Sequence, residues 1–235
     1  MSTKIVESAK EALADAFDGM TIMSGGFGLC GNAENCISEL ERRNIRDLTI
    51  ISNNCGNKGL GLAALLKDRQ VKKVIGSYIG GNPDLQEQYF AGDLQVELNP
   101  QGTLAERIRA GGAGIGGFFT PTGAGTVVAD GKETREIDGK LHIFETPLKA
   151  DFAIIRARKA DAFGNVRFYR TARNFAPLMA MAAKVTIVEA EEIVPLGALD
   201  PDDIHLPGIF VQKVFQGKDH KNWIENRTVR SREEE

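Results

Sequence analysis

No run of apolar residues in this 235-residue chain approaches the ~18 needed to cross a bilayer, and residues 1–10 lack the apolar stretch of a secretory leader. The expectation is a cytoplasmic protein with no membrane partner. Cysteine is scarce: Cys30, Cys36 and Cys55 fit neither a zinc pattern nor a disulfide framework, which leaves reduced thiols. Histidine occurs only as His142, His205 and His220, never in H-E-x-x-H spacing, and no metal site is expected. Acidic and basic residues almost cancel, at a formal net charge of −3, so nothing draws the chain toward polyanions and nucleic-acid binding is set aside. A phosphate-cradling G-x-x-x-x-G-K-[ST] is missing too.

Glycine, by contrast, is abundant: the chain has 26, above the usual share of about 7%, and they are densest at positions 19–31 and 111–125. Along the first half the chain alternates. Ala9, Ala12, Leu13, Ala16 and Phe17 recur at helical spacing before the apolar run 20–23, and Asn32 is placed to cap a helix carrying Ile37 and Leu40. Strands are expected at 48–51, 71–75 and 96–98, separated by helices over 60–66 and 83–91. Thr103 and Glu106 have the spacing of a capping box opening the next helix. Short apolar strands separated by helices predict an α/β fold, a mainly parallel sheet with helices on both faces and ligands at the carboxyl ends of the strands.

In the second half, Thr134–Ile137 and Leu141–Phe144 flank Asp138-Gly139, a strong hairpin signal, and Gly164-Asn165 suggests another. A strand at 152–155, a helix over 174–183 and a strand at 185–188 follow. The highly charged segment 218–235 reads as a mobile or partner-bound tail of a single domain spanning 1–235.

Gly26, Gly28 and Gly31 satisfy G-x-G-x-x-G between a strand and a helix, a dinucleotide-fold signal. The acidic residue that would hold a ribose about 20 positions on is replaced by Ser52-Asn53-Asn54, and the same spacing recurs at Gly112, Gly114 and Gly117. Nicotinamide-dinucleotide binding is therefore disfavoured.

Six ordered segments carry a sharper signal. Gly25-Gly26-Phe27-Gly28-Leu29-Cys30-Gly31, Ser52–Gly56, Asn99–Arg107, Thr120–Gly123, Thr171–Phe175 and Leu206–Phe210 together resemble the A subunit of 3-oxoacid CoA-transferases, the likeness running from about residue 3 to 230. Ser24 and Ala33 depart from that pattern, where an apolar residue and a proline are usual; both suit a loop-to-helix junction.

The resemblance implies a ping-pong transfer of CoA between carboxylic acids through a glutamyl-CoA thioester, with no cofactor beyond the CoA thioester itself. It places the nucleophilic glutamate on a B subunit, followed two places later by glycine. No glutamate of this chain has glycine there, so a partner is required, in a heterodimer or a heterotetramer. For this chain it implies a CoA-binding loop at Gly25, Gly26, Phe27, Gly28, Leu29, Cys30 and Gly31, whose backbone amides would face the thioester. Gln101, expected in a loop after a strand, is the candidate donor to a substrate or oxyanion oxygen, with Asn53 and Asn54 as further candidates on the same side. Arg173 and Asn174 could meet an acidic substrate or start a helix, and the glycines of 111–117 suit close packing. Ser77–Gly80 and Ala105–Gly112 look closer to the succinyl-CoA:acetoacetate type than to the alternative, the A subunit of a 3-oxoadipate CoA-transferase. The remaining alternative is a non-enzymatic nucleotide-binding module.

Overall fold

The computed structural model describes residues 3–224. In chain order its elements are α1 (Ala9–Ala12), β1 (Thr21–Ser24), α2 (Glu34–Arg43), β2 (Leu48–Ile51), α3 (Ala63–Lys67), β3 (Val71–Gly76), α4 (Pro83–Ala91), β4 (Gln95–Leu98), α5 (Gln101–Ala113) and β5 (Phe118–Thr120). There follow β6 (Thr134–Ile137), β7 (Lys140–Glu145), β8 (Ala150–Ala160), β9 (Val166–Arg167), α6 (Ala176–Ala182), β10 (Ala183–Ile193) and β11 (Lys213–Gln216). The main sheet runs β11-β10-β8-β1-β2-β3-β4 with every neighbouring pair parallel, while β9 pairs antiparallel with β8. A separate three-stranded antiparallel sheet, β5-β7-β6, carries the expected hairpin, with Asp138 and Gly139 both at positive φ as its tight turn demands.

Successive strand residues point to opposite faces, and each face has its own core. Ile22, Ile50 and Ile154 pack with Leu13, Ile37, Leu40, Leu65 and Leu85 from α1–α4 and their flanks. Met23, Ile51, Ile75 and Ala153 pack with Leu104, Ile108, Met179 and Ala182 from α5 and α6. The two-faced α/β architecture read from the alternation is thus the one found. No helix among the described residues is long and apolar enough to cross a membrane.

Several local expectations are corrected. The first helix stops at Ala12, because Lys213 takes the Ala12 carbonyl and Arg43 those of Leu13 and Ala16. Leu60 lies in a turn bonded to Asn57, and the third helix starts only at Ala63. No capping box opens α5. Pro100, at φ −54°, leads directly into a helix beginning at Gln101; Thr103 is buried within it, and Glu106 pairs with Arg109 at 2.6 Å. The last helix starts at Ala176 instead of residue 174, and β8 and β10 extend well past the cores expected for them. Residues 218–224 of the charged tail lie against the body: Lys218 and Asn35 exchange hydrogen bonds, and Arg156 donates to Lys221 and Asn222. The rest of that tail lies outside the described residues.

Asn32 does not cap α2 either. The capping oxygen comes from Glu189, 0% exposed on β10, whose Oε2 accepts from the Asn35 and Cys36 amides at 2.9 and 3.2 Å. Burial raises the Glu189 carboxyl to about 7, a push that the two amide donors oppose without cancelling. Folding therefore takes up a proton at Glu189 between about pH 4.5, its ordinary value, and about 7, and its contribution to stability falls as pH rises through that window. Glu189→Gln keeps an acceptor for the helix amides and removes the charge. The difference in urea midpoint between parent and variant, followed across that window, should move in favour of the variant as pH rises. A pH-independent difference would show Glu189 already ionised throughout.

Candidate active site

The carboxyl ends of β1, β2, β3 and β4 bring four segments together. Ser24 leads into the glycine loop, Ile51 into Ser52-Asn53-Asn54, Gly76 into Ser77, and Leu98 into Asn99-Pro100-Gln101. Asn53, only 5% exposed, sits at their centre. Its Oδ1 accepts from the Gly28 amide at 2.9 Å, and its Nδ2 donates to Gln101 Oε1 at 2.9 Å and to Ser77 Oγ at 3.2 Å. The Ser77 hydroxyl also lies 2.5 Å from Gln101 Oε1. Gln101 Nε2 is left enclosed with no hydrogen-bond partner among the described residues. Leaving a buried donor unpaired costs about 1–3 kcal/mol, and such an arrangement calls for an acceptor that the described residues do not supply.

The glycine loop is held from both sides. Asn174, at φ +32°, accepts from the Gly26 amide at 3.0 Å and donates to the Ala172 carbonyl at 2.8 Å. The Gly25 amide donates to Ile154, and Phe27 and Cys30 bond each other through both backbone pairs. The amides of Gly25, Gly26, Phe27, Gly28 and Cys30 are therefore engaged in shaping the loop, which changes their expected part as donors to a ligand. Phe27 projects, 52% exposed, and stacks on Phe175 at 6.2 Å. Leu29 is buried, whereas Gly31 passes so close to the Ala172 carbonyl that a Cβ there would lie 2.9 Å from it. Asn54 is buried one residue beyond Asn53. Asn174 braces the loop through both ends of its amide, and Arg173 ends the short 3-10 turn before it.

Behind Gln101 an ionic network fixes the approach of α5. Arg107 donates to Glu97 at 2.7 Å, to Asn99 at 2.6 Å and to the Thr146 carbonyl at 2.7 Å, and Lys73 also reaches Glu97 at 2.7 Å. Partial burial would raise the Glu97 carboxyl, but the Lys73 and Arg107 bonds outweigh it and bring it down to about 2. Gly111 lets α5 press against the segment before β8, since a Cβ there would lie 1.8 Å from the Leu148 carbonyl, and Gly112 does the same against Met181. Those two glycines serve close packing as expected; Gly114 and Gly116 face open space.

A cleft of about 410 Å³ touches the loop at Cys30 and Gly31 and is lined by Arg156, Tyr169, Glu191 and Trp223, yet it contains none of Asn53, Ser77 and Gln101. Its Arg156 is already committed to Glu191 at 2.6 Å and to the 221–222 segment. The unpaired donor at the strand ends is the better chemical marker. Among the described residues no three His, Cys, Asp or Glu side chains gather as a metal site would. All three thiols are unpaired, Cys30 exposed and Cys36 and Cys55 buried, with burial pushing Cys55 up to about 12.

Ser77 and Arg107 are the residues that sequence reasoning left without a role. Ser77 follows its strand directly, as Ser52 and Asn99 follow theirs, so the rule that ligands gather at carboxyl ends marks it once the strand is placed. Arg107 carries no local mark, because its partners come from β4 and from the segment before β8.

An open parallel sheet with a gripped glycine loop and an unpaired amide donor at its carboxyl edge defines a class: an α/β protein whose strand-end loops converge on one edge of the sheet. The coenzyme A transferase family model matches residues 6–217. The chain is 56% identical over 223 residues to the A subunit of the succinyl-CoA:3-ketoacid coenzyme A transferase of Xanthomonas campestris pv. campestris, covering 94% of this chain and 92% of that one. It is 52% identical over 216 residues to the A subunit of the 3-oxoadipate CoA-transferase of Pseudomonas putida, covering 91% and 94%. In fold it is similar to an acyl-CoA transferase of Escherichia coli O157:H7 solved as a thioester complex with CoA, at TM-score 0.84 and 23% identity, covering 94% of this chain and 48% of that one. This chain belongs to the coenzyme A transferase family.

The loop geometry predicts an ordering of variants. Gly26 has φ +122°, and a Cβ there would fall 1.9 Å from Asn32 Oδ1. Gly26→Ala should therefore lower stability by about 1–3 kcal/mol in urea unfolding, whereas Cys30→Ala at an exposed position should stay within about 0.5 kcal/mol of the parent. The reverse order would mean that the loop is not held as described.

Proposed function

We propose that the chain is the A subunit of a two-subunit transferase that moves CoA between succinyl-CoA and a 3-oxoacid such as acetoacetate. The observation that carries the reading is Gln101 Nε2, an enclosed donor with no acceptor, at the carboxyl edge of a family scaffold. The subunit designation of the Xanthomonas relative supports the partnership. The 52% identity to the Pseudomonas subunit sustains the second reading, 3-oxoadipate as the acceptor acid.

In this reading a glutamate of the B subunit, through its carboxylate, attacks the thioester carbonyl carbon of the acyl-CoA. The carbonyl oxygen becomes an oxyanion, which Gln101 Nε2 receives in a water-free contact where a hydrogen bond is strongest. The intermediate collapses with loss of CoA thiolate and leaves a mixed anhydride. The thiolate then attacks the glutamyl carbonyl of that anhydride, releasing the first acid as its carboxylate and leaving CoA on the glutamate. A second carboxylic acid reverses the sequence, so no net redox change occurs and CoA is the only group carried. The loop from Gly25 to Gly31 contributes close approach and shape near the thioester, with Phe27 as its exposed edge, and its internally bonded amides hold it rigid.

Two outcomes are expected. The purified chain alone should exchange no CoA and form no borohydride-sensitive enzyme-CoA thioester, both appearing on addition of the B subunit; turnover by the isolated chain would refute the partnership. In the assembled enzyme Gln101→Glu keeps an acceptor for Asn53 and Ser77 but offers the oxyanion no donor. Single-turnover thioester formation should slow by about 10²- to 10³-fold. A rate within about threefold of the parent would show that Gln101 does not serve the oxyanion.

A further inference from the structure

We propose that Asn53, assisted by Ser77, is a positioning residue that sets which end of the Gln101 amide faces the reacting oxygen; this rests on the reading of Gln101 as the oxyanion donor. The two ends of a side-chain amide have nearly the same shape and opposite hydrogen-bonding character, so an unrestrained glutamine presents a donor or an acceptor by a half-turn about its last torsion. A donor stabilises a developing oxyanion, and an acceptor repels it. Something must therefore break the symmetry.

The symmetry is broken by a group that cannot turn. The Gly28 backbone N–H can only donate, and it donates to Asn53 Oδ1 at 2.9 Å. Asn53 must then direct its NH₂ the other way, toward Gln101 and Ser77, at 2.9 and 3.2 Å. An NH₂ can only donate, so Gln101 answers with Oε1, and the Ser77 hydroxyl reinforces the choice from 2.5 Å. Nε2 is left as the unpaired end. The orientation of the proposed catalytic donor is thus inherited, through one asparagine, from the backbone of the glycine loop. Asn53 has both ends of its amide spent in this relay and is nearly fully buried, so its place is behind Gln101 and not among the groups touching CoA. Ser77 has its own amide and hydroxyl within reach of the Asn53 carbonyl, at 2.9 and 3.1 Å, which keeps the two side chains in register.

The isosteric Asn53→Asp separates positioning from binding. Its carboxylate still accepts from Gly28 but presents a second acceptor to Gln101 Oε1, so the glutamine amide turns over and shows its oxygen to the substrate. In the enzyme assembled with its B subunit, single-turnover thioester formation should slow by about 10²-fold, approaching the Gln101→Ala variant, with the KM for succinyl-CoA within about threefold of the parent. Because the aspartate acts only through Gln101, adding Asn53→Asp to Gln101→Ala should cost less than about threefold more. The rate ratio of variant to parent should rise as pH falls and the aspartic acid regains a donor. Ser77→Ala, which leaves Asn53 in place, should be slowed by about tenfold or less and serves as the milder variant should Asn53→Asp unfold. Multiplying penalties in the double variant, or a loss confined to KM, would overturn the positioning role while leaving Gln101 as the donor. A Gln101→Ala enzyme within about threefold of the parent would remove the donor reading itself, and the positioning role with it.

Discussion

The hydrogen bond from the Gly28 amide to Asn53 Oδ1 is the contact on which the rest of the site depends. It joins the loop after the first strand to the loop after the second, and through Asn53 Nδ2 it reaches the start of α5 after the fourth. Gly28, Asn53, Ser77 and Gln101 belong to segments far apart in sequence, and the parallel sheet alone brings their strand ends to one edge. Each bond in the relay is neutral and modest, about 1 kcal/mol in net stability. Their value lies in direction, because a fixed backbone donor at one end leaves a single consistent assignment for every amide that follows.

The supporting structure keeps these short bonds from drifting. Asn174 grips the loop at Gly26, opposite the Asn53 contact at Gly28, so the loop is anchored on two sides. On the α5 side, Arg107 ties Glu97 at the end of β4 to Asn99 and to the Thr146 carbonyl, holding the chain that delivers Gln101. Here charge does what neutral bonds cannot: the pull of Lys73 and Arg107 on Glu97 exceeds the cost of its partial burial, which is why its carboxyl sits near 2. Charged groups brace the site from behind, and uncharged amides face it. That division suits the proposed reaction, whose nucleophile is a carboxylate, since a permanent cation beside it would hold it in its resting state as strongly as it helped the transition state.

Much of the architecture was legible because apolar periodicity is a local property. Ile22 beside Met23 and Ile50 beside Ile51 mark strands buried on both faces, Pro83 opens a helix where its missing N–H costs nothing, and Asp138-Gly139 fixes a hairpin. Gln101, Asn53 and the glycine loop could be named from motifs at strand ends. Their mutual contacts could not, because Asn53 and Gln101 are 48 residues apart and only the sheet order makes them neighbours. The capping-box reading of Thr103 failed because Pro100 starts the helix two residues earlier and Glu106 finds a stronger partner in Arg109. Glu189 was overlooked although a carboxylate inside the run Val185–Ala190 is itself a signal; its reason, the amide end of α2, lies across the sheet. The engagement of the loop amides was equally hidden, since the motif reveals glycines but not where their N–H groups go.

In the proposed reaction the oxyanion is met by Gln101 and not by the loop amides. The most direct measurement is a structure of the enzyme-CoA thioester, trapped after the chain has been assembled with its B subunit. The thioester carbonyl oxygen should lie within about 3 Å of Gln101 Nε2, with the Gly28 to Asn53 and Asn53 to Gln101 bonds intact. A carbonyl oxygen seated instead on the Gly28 amide, with Asn53 displaced or the Gln101 amide turned over, would contradict it.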